Sequence, residues 1–210
     1  NLRIAVMGFV NRDPDEAEME QLKALLEREM QRGALGMSLG LIYPPSAFST
    51  KEELIELAKV IAKYDGILSV HMRNEGPRIF QAVDEMIEIA EASGVHIEIS
   101  HLKLMGMPQW GKAPQLIEKI DAARARGLNI TCDQYPFPAS STSMTALCPH
   151  WSHDGGREAL LNRVTNEFET LRAEVNQEMA NRGGADTIMV CTGTNVQPYI
   201  GKYISQIAEE

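Results

Sequence analysis

Ile67-Leu68-Ser69-Val70-His71 and Val95-His96-Ile97-Glu98-Ile99-Ser100-His101 decide the fold of this chain. Both are short β-branched runs that end in histidine. Between them Ile79, Val83, Met86, Ile87 and Ala90 recur at helical spacing, and Gly94 ends the stretch. A strand, a helix and a second strand within about 30 residues make a βα unit. The pattern continues downstream: Leu116, Ile117, Ile120 and Ala123 mark a helix closed by Gly127, and Leu128-Asn129-Ile130-Thr131-Cys132 is the next strand. Upstream, Thr50 caps a helix striped by Leu54, Leu57, Ala58 and Ile61, after a strand-like run from Leu35 to Ile42 that Pro44-Pro45 breaks. An earlier helix carries Met19, Leu22, Leu25, Leu26 and Met30. Asp13 is its expected N-cap, with Pro14 in the first helical position and Glu16 completing a capping box. Ile4-Ala5-Val6-Met7 is expected as a first strand, and Thr187-Ile188-Met189-Val190-Cys191 as a sixth.

Strands alternating with helices imply a parallel sheet covered by helices, an α/β fold. Two architectures compete: a doubly wound open sheet and a (β/α)8 TIM-type barrel. A complete barrel takes about 250 residues. With 210 residues and five to six parallel strands, the chain is a whole open sheet or a partial barrel. Residues 1–145 hold the βα units. Residues 146–186 are expected to form a lid-like insertion: a loop followed by a charged helix from about Arg157 to Asn181. Residues 187–210 complete the same domain with the strand-like segment and a short helix from Tyr199.

The composition, 44% hydrophobic and 23% charged, is that of a soluble globular protein. A net charge of −9 speaks against nucleic acid or an anionic membrane as partner, since phosphate binding needs clustered lysine and arginine. No apolar run approaches the roughly 20 residues of a membrane span, and no signal peptide is visible. Three cysteines without a CxxC motif point to a reducing compartment, the cytoplasm. The chain begins Asn1-Leu2-Arg3, without an initiator Met, which suits a piece excised from something longer.

His71 and His101 occupy the same place in consecutive repeats, 30 residues apart. Neighbouring strands run about 4.8 Å apart, so two imidazoles at adjacent C-terminal strand ends can reach one metal ion. That edge is where parallel α/β folds place their sites. The bland alternative is two histidines that each hydrogen-bond within a loop. Arg73, Asn74 and Glu75 follow the first histidine, and Lys103 and Tyr135 lie near the second in sequence or topology. Lys103 and Tyr135 suit a substrate carboxylate, by charge and by phenolic hydrogen bond; a solvated surface lysine is the alternative for Lys103. Asp133 reads as a turn or capping residue. Gly36-Met37-Ser38-Leu39-Gly40 matches GxSxG, the nucleophile elbow of serine hydrolases. The elbow needs a helix directly after the serine, and Leu41 to Pro45 cannot begin one. His96 opens a strand away from the active edge and reads as structural, while His150 and His153 read as polar surface or lid.

Several of these segments, in this order, resemble N-acyl-D-amino-acid deacylases. They are Gly33 to Pro45, His71-Met72-Arg73-Asn74-Glu75-Gly76, Ser100-His101-Leu102-Lys103 with Gly106, and Asp133-Gln134-Tyr135-Pro136 with Ser140-Ser141-Thr142. That family belongs to the metal-dependent amidohydrolases, with a (β/α)8 barrel. The resemblance implies that His71 and His101 are zinc ligands. It also implies that Lys103, Tyr135 and a serine among Ser140 and Ser141 contact the carboxylate of an N-acyl-D-amino acid, with Arg73 a further substrate contact. The implied reaction is hydrolysis to a carboxylate and a free D-amino acid. The family's His-x-His pair, its zinc-binding cysteine and its catalytic aspartate have no counterpart here, so the chain resembles the central part of such a barrel. The expectation is weak zinc binding and no turnover by these residues alone, with self-association through open barrel edges. A related cyclic amidase or dipeptidase, and a non-catalytic barrel remnant acting as a binding module, are the competing readings.

Overall fold

A computed structural model describes residues 2–209. Its centre is one parallel sheet whose strands lie side by side in chain order: β1 (Gly36–Gly40), β2 (Ile67–His71), β3 (His96–Ile99) and β4 (Ile130–Cys132). The register places Ser38 beside Ser69, Ser69 beside Glu98, and Glu98 beside Thr131. Side chains alternate across a sheet, so these four share one face, with Leu39, Leu68, Val70, Ile97, Ile99 and Ile130 on the other. The apolar set is buried. It packs under α3 (Lys51–Ala62), α4 (Ile79–Ser93) and α5 (Ala113–Ala125) in one continuous core. At the start of β1 a side chain at Gly36 would collide with the Ile67 carbonyl, so only glycine lets the first two strands pair there.

Local signals explain the helix boundaries. Thr50 accepts the Glu53 N–H at the start of α3, and α4 stops at Gly94, whose φ of 73° is open to glycine at little cost. The preceding helices are α1 (Leu2–Met7) and α2 (Glu16–Gln31). Beyond the sheet lie α6 (Arg157–Asn166), α7 (Phe168–Asn181) and α8 (Ile204–Ala208).

Four expectations need correction. Ile4 to Met7 is helical, because a helix puts Arg3 and Met7 on one buried face, where Arg3 pairs with Glu53. The cap of α2 is Asp15, boxed with Glu18, rather than Asp13 with Glu16. The charged helix is two helices broken at Glu167. Thr187 to Cys191 joins no strand of the sheet; Met189 makes a single antiparallel bridge with Tyr203, so the sheet has four strands rather than five or six. Among the described residues no helix is long and apolar enough to cross a membrane.

Candidate metal site and substrate cleft

His71 is the last residue of β2, and its Nδ1 meets Nε2 of His101 in direct contact. The ring centroids are 4.4 Å apart and the planes are tilted by 41°. His101 reaches this position through a left-handed backbone, φ 44°, uncommon for a residue with a side chain. Asp133, just past β4, holds that corner. Its carboxylate accepts the His101 N–H, its carbonyl accepts the Leu102 N–H at 3.0 Å, and its own N–H donates to the Ile99 carbonyl at 3.2 Å. Strain of this kind collects at functional sites when the surrounding structure over-determines it. One layer deeper, Ser69 and Ser100 donate to Glu98 Oε2 at 2.7 and 2.8 Å and tie the two histidine-bearing strands together.

The loop after β2 turns back because Asn74 Oδ1 accepts the N–H groups of Gly76 and Arg78, at 3.0 and 2.8 Å. This turn buries Glu75 against the histidine pair. Its Oε1 lies 2.9 Å from His101 Nδ1 and 2.6 Å from Lys103 Nζ. The lysine also lies 2.8 Å from His101 Nδ1 and 5.5 Å from the centre of the Tyr135 ring. The Tyr135 hydroxyl is shielded from solvent without a fully formed hydrogen bond. Burial, followed by the charge of Glu75, raises its pKa, so it remains a protonated donor. Burial, followed by the neighbouring His101, lowers the pKa of His71 and favours a neutral imidazole with a lone pair to offer.

These groups line an open cleft of about 300 Å³ together with Tyr43, Phe137, Ser140, Ser141 and Arg182. His71, His101, Lys103, Tyr135, Ser140 and Ser141 are therefore brought together. Arg73 is not. Its guanidinium points away and is spent on the carbonyls of Ala47 and Ser49, at 2.8 and 2.9 Å, and on Glu85 at 2.9 Å. Ser38 lies in the middle of β1 rather than at a strand–helix turn, which rules out the nucleophile elbow. His96 bonds Thr131 at 2.9 Å as a strand residue, and His153 lies 3.2 Å from the Thr145 carbonyl, outside the cleft. Among the polar residues of the cleft, Glu75 and Arg182 carry no role in the sequence reading. Glu75 had the signal of an acid just past a strand end. Arg182 had none, because it arrives from the end of α7, whose Asn181 carbonyl sits where a side chain at Gly106 would be.

The donor set suits zinc in part. Two imidazoles converge at the sheet edge, the geometry of a half-built zinc site. A metal ion between them would part the two rings. No group of three or more histidine, cysteine, aspartate or glutamate residues able to hold a metal exists among the described residues.

No family model matches the chain. It is 38% identical over 143 residues, 68% of its length, to a D-aminoacylase of Alcaligenes xylosoxydans xylosoxydans. It is 37% identical over 142 residues to an N-acyl-D-glutamate deacylase of the same organism. Over that stretch the chain is similar to D-aminoacylases. The chain spans 29% of the length of each of these relatives. Among solved structures, a D-aminoacylase described as defining a novel subset of amidohydrolases superposes with a TM-score of 0.65 at 36% identity, over 68% of this chain and 30% of that one. N-acyl-D-glutamate deacylase from Bordetella bronchiseptica, complexed with zinc and a phosphonate inhibitor, superposes over the whole chain with a TM-score of 0.77 at 28% identity, covering 37% of its own length. These superpositions decide between the two architectures: the sheet corresponds to part of an amidohydrolase barrel, not to an open doubly wound sheet.

Proposed function

We propose that this chain belongs to the D-aminoacylase family and forms the central part of a zinc-dependent deacylase that hydrolyses N-acyl-D-amino acids. The observation that carries the reading is the meeting of His71 and His101 at the C-terminal edge of the sheet, with Lys103 and Tyr135 beside them. His71 and His101 would hold the ion. When bound, zinc polarises the amide carbonyl and makes water a better nucleophile at neutral pH. The other groups bind and orient. Lys103 supplies a positive charge and Tyr135 an O–H donor to the substrate carboxylate, and the Ser140 and Ser141 hydroxyls extend that cradle. The apolar side chains Ile42, Met105 and Phe137 in the cleft wall exclude water from the rest of the ligand. Arg73 takes no part in this assignment.

With two imidazoles as the metal donors, the 210 residues by themselves are expected to bind zinc weakly and to turn over no N-acyl-D-amino acid. We place 1–145 as barrel units, 146–186 as a cover over the cleft and 187–210 as part of the same domain. The three free thiols suit a reducing compartment, the cytoplasm. β1 and β4 are each paired on one side only, which invites association with a second copy. The test is zinc uptake by the purified chain, followed by competition with a chromophoric chelator. The expected result is one ion per chain, lost in both H71A and H101A and kept in S38A. Uptake that survives both histidine substitutions overturns the reading.

A further inference from the structure

Three polar atoms contact one another beside the histidine pair: His101 Nδ1, Glu75 Oε1 and Lys103 Nζ, separated by 2.9, 2.6 and 2.8 Å. They make conflicting demands on the imidazole. An ammonium only donates, so a hydrogen bond from Lys103 needs a bare Nδ1 and puts the ring proton on Nε2. A carboxylate only accepts, so a hydrogen bond to Glu75 needs the proton on Nδ1 and leaves the Nε2 lone pair free. Nε2 is the atom that faces His71. The two partners therefore select opposite tautomers, and only one of them leaves a ligand at the site.

We propose that Glu75 is the positioning residue of this site: it accepts the Nδ1 proton of His101 and so turns the Nε2 lone pair toward His71. The proposal rests on the zinc reading only for its consequence, metal affinity; the tautomer itself is a property of the chain. Several features favour the carboxylate. Glu75 is buried at 8% exposure, so its negative charge is poorly screened. The turn capped by Asn74 and the hydrogen bond from the Met105 N–H to the Glu75 carbonyl, at 2.8 Å, fix its backbone on both sides. In this structure Lys103 is the partner with hydrogen-bond geometry to Nδ1, but it also bonds the His101 carbonyl at 3.1 Å and has Glu75 as its counter-ion, so it does not need the imidazole. A carboxylate that accepts from the far nitrogen of a ligating histidine fixes the ring and raises its basicity, and losing such a partner lowers metal affinity by about 10–100-fold.

The experiment uses the purified chain with ¹⁵N-labelled histidine. Ring nitrogen spectra without metal report the His101 tautomer, and chelator competition reports the zinc affinity. Wild type is expected to show the Nδ1–H form. E75A is expected to shift the ring to the Nε2–H form and to weaken zinc by about 10–100-fold. E75Q, whose amide oxygen still accepts, should keep the Nδ1–H form and lose several-fold in affinity. K103M removes the competing donor together with the counter-ion of Glu75, and should leave the tautomer unchanged. An Nε2–H wild type, or an E75A that keeps both the tautomer and the affinity, overturns the proposal. So does a K103M whose ring shifts to the Nε2–H form. Where E75A does not fold, E75Q decides, and unchanged affinity there is the overturning result. If wild type takes up no zinc while the tautomer still follows Glu75, the zinc reading fails and the positioning role stands.

Discussion

The main-chain N–H of His101 donates to the carboxylate of Asp133, across from β3 to the residue that follows β4. With the two main-chain bonds of Asp133, it holds a non-glycine residue in left-handed backbone and so sets where its ring points. D133A removes the acceptor and is expected to cost about 1–2 kcal/mol, the worth of a hydrogen bond to a charged group at a partly solvated site. Zinc affinity should fall with it, because the ring loses its fixed origin. D133N keeps an oxygen acceptor and should recover most of both. Urea unfolding and chelator competition on the same preparations check the pair of effects.

Arg73 behaves as a strut. Its planar fork joins α4, through Glu85, to the carbonyls of Ala47 and Ser49 in the segment before α3. R73A is expected to lose about 2–3 kcal/mol of stability, since the carboxylate and the carbonyls lose a charged donor together. R73K should lose nearly as much, because one ammonium cannot reproduce three directed bonds. Denaturant midpoints measure this. A folded R73K with wild-type stability and impaired binding of an N-acetyl-D-amino acid would restore the arginine to the substrate.

Arg3 and Glu53 form a buried ion pair, with side chains 4% and 1% exposed. Ser49 also donates to the glutamate, at 3.0 Å. R3M strands a buried carboxylate and is expected to cost about 3–5 kcal/mol, whereas R3M/E53L should regain most of that loss. Burial holds the Glu53 pKa above its ordinary value even beside Arg3. A raised folded-state pKa means that the native chain binds the proton more tightly than the unfolded chain. The stability this group contributes is therefore present at acid pH and falls as pH rises through its folded pKa. Without Arg3 the pKa rises further. R3M should accordingly gain stability on acidification from neutral pH toward the carboxylate range, relative to wild type, in chemical denaturation at each pH.

The unpaired sides of β1 and β4 predict self-association. Light scattering over a concentration series should show mass rising above 23.3 kDa. A lysine placed in β4, as in T131K, should lower the association. A mass that stays at the single-chain value throughout would remove the edge argument.

Much of the candidate cleft is legible in the sequence. Helical and strand periods are local properties, so the run from Ile67 to His71 and its echo from Val95 to His101 announced two parallel strands ending in histidine. Lys103 and Tyr135 followed from their places just past strand ends. Ile4 to Met7 misled because four apolar residues carry no period; what made them helical was a partner, Glu53, fifty positions away in the chain. Arg73 lies apart from the cleft because nearness to His71 in sequence says nothing about which acceptors its fork will meet.

By itself the sequence determined the βα rhythm, the strand ends and the residue types able to bind metal and carboxylate, because these depend on neighbours a few positions apart. The tertiary structure alone decided that Arg73 braces the scaffold, that Glu75 folds back onto His101, that Asp133 clamps the corner and that Arg182 reaches the cleft. Each of those outcomes is a meeting of groups from different elements. It is governed by loop turns, burial and the demand that every buried donor find an acceptor, none of which a local pattern records.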